Sequence, residues 1–147
     1  ISVAFSHHSK LLILDEATSG LDPIMRDEIL DMLLDFIQDE ESSILVSSHI
    51  TSDLEKIADY IVFIHEGKIV FQKPKDELLE NYGIIKCGAS LFDKIDKDEV
   101  IAYRKQDYEW QVLIGNKQLA QKKYPTAMIV PASIDEIMLM YVKWDVK

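Results

Sequence analysis

Leu11-Leu12-Ile13-Leu14-Asp15-Glu16 decides how this 147-residue chain is read. Four apolar residues run directly into two carboxylates. A short unbroken apolar run is the pattern of a buried strand in a parallel sheet, covered on both faces. Buried carboxylates without partners are costly, so the acids belong where the strand leaves the sheet, at its carboxyl end. In open α/β sheets that end faces the ligand crevice. Ala17-Thr18-Ser19-Gly20-Leu21-Asp22-Pro23 follows as a small polar turn in which Gly20 suits a positive φ. Asp22 then caps a helix that opens at Pro23.

Outward from this stretch, the helix is expected from Pro23 to about Asp39. Ile29, Leu30, Leu33, Leu34 and Ile37 share one face of it. Ile44-Leu45-Val46 reads as a second buried strand, ending in Ser47-Ser48-His49. A helix over about 52–59 leads to two strands, Tyr60–His65 and Lys68–Gln72, joined at the tight turn Glu66-Gly67. Pro74 opens a short helix through about Tyr82, which Gly83 ends. From Ile84 the rhythm changes: strand 84–87, helix 90–95, strands 100–104 and 109–114, helix 116–123, strand 127–130. A final helix is capped by Ser133. Strand–helix–strand–strand–helix–strand is the ferredoxin-like order.

Charge divides the chain at the same place. Through Gly83 there are 6 Lys and Arg against 17 Asp and Glu; from Ile84 there are 10 against 9. The shift marks the expected boundary between residues 1–83 and 84–147. The acidic first part argues against nucleic acid as a partner. No apolar run approaches the ~20 residues needed to span a bilayer, and the single cysteine, Cys87, fits a reducing cytosol. Cys87 reads as a small buried apolar residue. Lys117, Lys122 and Lys123 beside Tyr124 read as a solvated helix face, and the pair His7-His8 as a helix terminus rather than a metal site.

LLILDEATSGLDP resembles the Walker B strand and D-loop of ATP-binding-cassette (ABC) ATPases. Ser47-Ser48-His49 looks like the switch-histidine segment of that family, and Gly67-Lys68-Ile69-Val70 like the hairpin that follows in its transporter members. The resemblance covers residues 1 to about 82. It implies a partial P-loop NTPase sheet of α/β class, followed by a smaller α+β domain. It also implies ATP and Mg²⁺ as cofactors, a transmembrane permease subunit and a second ATPase subunit as partners, and a place at the cytoplasmic face of the membrane. The chain opens within what reads as a helix, Ile1-Ser2-Val3-Ala4-Phe5, and contains no Gly-x-x-x-x-Gly-Lys-[Ser/Thr] loop. The expectation is a fragment, inactive by itself, whose uncovered strands favour self-association.

Residue by residue, Asp15 resembles the acid that supports Mg²⁺, and Glu16 the one that orients and deprotonates the attacking water. The plainer reading is two acids capping a strand. His49 takes the switch role by resemblance. Alternatively it is a core histidine satisfied by a backbone carbonyl. Ser19, Gly20 and Asp22 resemble the D-loop that crosses to a second ATPase domain, although helix capping alone accounts for Asp22. Two other classes stand beside transport: a cassette ATPase acting on chromosomes or ribosomes, and a regulatory or dimerisation module in residues 84–147.

Overall fold

A computed structural model describes residues 9–146 as two compact units of mixed α/β structure, one up to Ala58 and one from Asp59. The helix expected over 1–8 and the pair His7-His8 lie outside the described residues.

In the first unit β1 (Leu11–Asp15) and β2 (Ser43–Ser47) pair in parallel, with Leu12 opposite Ile44, Leu14 opposite Val46 and Asp15 opposite Ser47. The helix α1 (Pro23–Phe36) runs between them, as a parallel crossover requires. Its Leu30 and Leu33 are buried with Ile57 of α2 (Thr51–Ile57), and Leu14, Ile44 and Val46 pack against that cluster. Side chains alternate along a strand, so the partners Leu12/Ile44 and Leu14/Val46 share the covered face. Leu11, Ile13 and Leu45 occupy the other face and are exposed. The apolar run predicts cover on both faces; among the described residues α1 covers one. The helix also stops short of Asp39, at a cap on Ile37.

The second unit begins with the hairpin β3 (Tyr60–His65) and β4 (Lys68–Pro74). Glu66 and Gly67 both have positive φ, 48° and 73°, the pair of left-handed residues that a tight two-residue turn needs. The short helix α3 (Lys75–Asn81) leads to β5 (Gly83–Cys87). Then come α4 (Ala89–Phe92), a 3₁₀ turn (Lys97–Glu99), β6 (Val100–Gln106), β7 (Glu109–Ile114), α5 (Lys117–Lys123), β8 (Met128–Pro131), α6 (Ile134–Lys143) and β9 (Asp145–Val146). The five strands form one sheet in the order β8-β5-β7-β6-β9, and every neighbouring pair is antiparallel.

Alternation again decides the packing. Ile85, Cys87, Val112 and Ile114 lie buried with Ile95, Ala120 and Tyr124, and Leu91 and Phe92 of α4 pack beside them. The rings of Phe92 and Trp110 stack with centroids 3.9 Å apart. On the far side Ile84 and Leu113 face each other across β5 and β7 and are buried. The helix α6 packs on β6 with Ile134, Ile137 and Met140 buried. Ser133 and Glu136 close a reciprocal capping box that fixes its start.

Compactness divides the chain ahead of the charge shift near Gly83, for a reason of packing. Phe71 of β4 meets Tyr141 of α6, ring centroids 5.4 Å apart, and Lys117 Nζ donates to the Leu79 carbonyl at 3.0 Å. The hairpin and α3 therefore belong with the later residues. Gly83 also differs from its expected role. Tyr82 caps α3, and Gly83 is the first residue of β5. A Cβ there would stand 2.9 Å from Lys117 Cβ and 3.2 Å from the Val130 carbonyl, so close approach, not helix termination, calls for glycine.

Burial sets the alkaline behaviour of this unit. It pushes the Cys87 thiol up, with Glu109 adding in the same direction. Burial likewise raises Tyr141, followed by its hydrogen bond with Tyr82. Both groups stay neutral in the fold at pH values where the unfolded chain would ionise them. Their contribution is complete below the ordinary thiol value of ~8.5 and is lost as pH climbs through that value and beyond. Urea midpoints of the second unit should therefore be lower at pH 10 than at pH 7, and Cys87→Ala should flatten part of that slope. Equal midpoints at the two pH values would contradict the inward setting of both side chains.

Candidate active site at the rim of the parallel strands

Parallel register places Asp15 beside Ser47 on one face, at the carboxyl end of both strands. The Ser47 hydroxyl donates to Asp15 Oδ1 and accepts the Glu16 amide N–H at 3.2 Å. The same amide reaches the Ser47 carbonyl at 3.0 Å. Ser47 thus fastens both acids to the neighbouring strand. It lies within a segment whose reading centred on His49; the signal for Ser47 was its polar residue at the end of an apolar strand, meaningful once the register is known.

Glu16 is the first residue beyond β1 and has a φ of 48°. Left-handed backbone at a long, non-glycine residue costs on the order of 1–2 kcal/mol. Such strain persists where surrounding contacts hold it, commonly at functional positions. Here it turns the Glu16 side chain towards the segment after β2. His49 Nδ1 lies 2.6 Å from Glu16 Oε2. A carboxylate accepts, so Nδ1 is the nitrogen that donates in this contact. His49 is therefore not a core histidine on a carbonyl: its side chain is 68% exposed and Glu16 is 39% exposed. Asp15, Glu16 and His49 meet at one strand rim.

The turn residues take other places. Gly20 has a φ of 75°, as its position in the turn predicts. The Ser19 amide N–H donates to the Glu16 carbonyl at 3.0 Å, and its side chain is exposed. Asp22 Oδ1 accepts from the amides of Ile24 at 3.0 Å and Met25 at 3.1 Å, so its carboxylate caps α1. Thr18 and Asp53, neither singled out by sequence, form a buried hydrogen bond beneath the rim. Asp53 stands in a Ser-Asp-Leu-Glu run where nothing distinguishes an inward acid from an outward one.

The rim can orient a carboxylate and present imidazole Nε2, the ring nitrogen that the Glu16 contact leaves unused. Among the described residues no three His, Cys, Asp or Glu side chains gather into a metal centre. Asp15 alone offers a carboxylate of the kind Mg²⁺ takes when waters and phosphate oxygens supply its other ligands. Lys123, beside Tyr124, is engaged elsewhere: its Nζ pairs with Glu99 at 2.8 Å and Asp96 at 3.1 Å.

The chain's curated homologues are ABC transporter ATP-binding proteins, consistent with a partial ABC ATPase. The chain is 46% identical over 94 residues to the lantibiotic transport ATP-binding protein SrtF of Streptococcus pyogenes, covering 64% of this chain and 40% of SrtF. It is 41% identical over 78 residues to the bacitracin transport ATP-binding protein BcrA of Bacillus licheniformis, covering 53% and 26% respectively. To the ABC transporter ATP-binding protein YtrB of Bacillus subtilis it is 30% identical over 105 residues, 71% of this chain and 34% of YtrB. The chain thus spans well under half the length of these relatives. No family model matches it.

Proposed function

We propose that the whole protein is the ATP-binding subunit of an ABC transporter and that residues 1–83 carry the hydrolytic rim of its ATPase domain. The 2.6 Å contact between Glu16 and His49 carries the reading. Asp15 would hold the Mg²⁺ of the nucleotide, which when bound neutralises phosphate charge. Holding one Glu16 oxygen on His49 leaves Oε1 to accept a proton from an attacking water. The left-handed backbone at Glu16 aims that carboxylate towards His49, while the Ser47 hydroxyl holds the Glu16 amide. With Nδ1–H given to Glu16, Nε2 of the neutral His49 ring accepts; it would donate towards a terminal phosphate oxygen only in the doubly protonated imidazolium. Ser19, Gly20 and Asp22 would form the turn that meets a second ATPase subunit.

Transport is favoured over chromosome- or ribosome-acting cassettes by relatives named for lantibiotic and bacitracin transport. Among the described residues no helix is long and apolar enough to cross a membrane. In this reading coupling runs through a separate permease subunit at the cytoplasmic face. For residues 84–147 we propose an accessory, ferredoxin-like module. The order β8-β5-β7-β6, with helices in both crossovers, supports it. Its role is regulatory or dimerising by analogy of fold.

Phosphate release from ATP by the whole protein should stop when EDTA removes Mg²⁺ and return when Mg²⁺ is restored. Failure to hydrolyse ATP in either condition would overturn the reading.

A further inference from the structure

Thr18 and Asp53 are 35 residues apart in sequence and touch beneath the rim: Thr18 Oγ1 donates to Asp53 Oδ2 at 2.6 Å. Each residue is 4% exposed. A buried carboxylate is unfavourable without a donor, and a short bond to a charged acceptor is among the stronger kinds. The two residues sit on the two segments that carry the rim pair. Thr18 belongs to the turn that leaves β1 at Glu16, a turn closed by the Ser19 amide on the Glu16 carbonyl. Asp53 lies in the first turn of α2, whose lead-in from His49 is pinned by the Ile50 amide on the Ser48 hydroxyl at 3.0 Å.

The pair above is exposed, and even a fully charged exposed pair contributes too little to hold its own geometry. Strand register fixes Asp15 against Ser47, but it stops at the strand ends and does not fix two loops. We propose that the Thr18–Asp53 hydrogen bond sets the approach of Glu16 to His49, making Thr18 and Asp53 positioning residues for hydrolysis. The inference rests on the hydrolytic reading of that pair, and its test separates the two.

The first readout needs no nucleotide. The imidazole ¹⁵N shifts of His49, in the chain labelled at histidine, report which ring nitrogen carries the proton. Wild type should show the Nδ1–H form that the Glu16 contact requires, and Glu16→Ala should shift it towards Nε2–H. Thr18→Val, which keeps shape and deletes the hydroxyl, should move His49 towards the Glu16→Ala spectrum. Thr18→Ser should keep the wild-type spectrum. In the whole protein Thr18→Val should lower kcat for ATP about tenfold or more at unchanged KM, since small misplacements of reacting groups carry effects of that size; Thr18→Ser should restore it.

A folded Thr18→Val with the wild-type imidazole spectrum and wild-type kcat would overturn the proposal and leave the bond a purely structural one. If Thr18→Val does not fold, Asp53→Asn keeps the size and removes the charge, and should move both readouts in the same direction; no movement would overturn the proposal equally. If Glu16→Gln leaves hydrolysis unchanged, the functional reading fails while the imidazole spectra still decide the positioning claim.

Discussion

Glu16→Gln in the whole protein should slow ATP hydrolysis by about 10²–10⁴-fold, the usual contribution of a positioned general base. ATP binding should persist. The substitution keeps length and an oxygen that can accept from His49 Nδ1, so the rim geometry of a 2.6 Å contact has a neutral substitute. What it removes is the capacity to take a proton from water. The expected pattern is a collapse of kcat with little change in nucleotide affinity, read by phosphate release and by equilibrium binding in parallel. Turnover within a few fold of wild type would remove Glu16 from the chemistry and leave the plainer reading, two acids at a strand end. A parallel loss of affinity would instead indicate that Glu16 acts in binding.

Leu113→Ala should destabilise the second unit by about 2–5 kcal/mol, the range for truncating a large buried aliphatic side chain. Leu113 is fully buried in β7, a strand flanked by neighbours on both sides in the five-stranded sheet. It faces Ile84 across one boundary and Ala102 across the other. Ala102 is already small, so little nearby can move in to refill the space. A loss of this size should lower the melting temperature of a unit this small by roughly 10 °C or more. Thermal unfolding followed by circular dichroism checks it. A change below about 1 kcal/mol would mean that the far side of the sheet collapses into the space and is not held as packed.

Much of this was legible in the sequence because periodicity and punctuation agree. Asp22-Pro23 marks a helix start that the cap bonds bear out. Glu66-Gly67 marks a hairpin, and Ser133 a helix cap. The pairing of Glu16 with His49 was expected because parallel strands bring their carboxyl ends to one rim. Three things were not legible. The open face of Leu11 and Ile13 depends on what packs against a strand, which an apolar run does not state. The packing of the β3–β4 hairpin with later residues rests on contacts such as Phe71 with Tyr141, whereas the boundary near Gly83 follows charge, which records solvation. Thr18 and Asp53 look like ordinary turn and helix-surface residues; their burial is a property of the tertiary arrangement alone.

The backbone at Glu16 has one more consequence. A residue with a φ of 48° sits where glycine or asparagine would relax the chain. Selection for thermal robustness alone would erode glutamate from this position, and selection for turnover would retain it. Variants recovered from the two regimes should therefore diverge first at this one bend in the main chain.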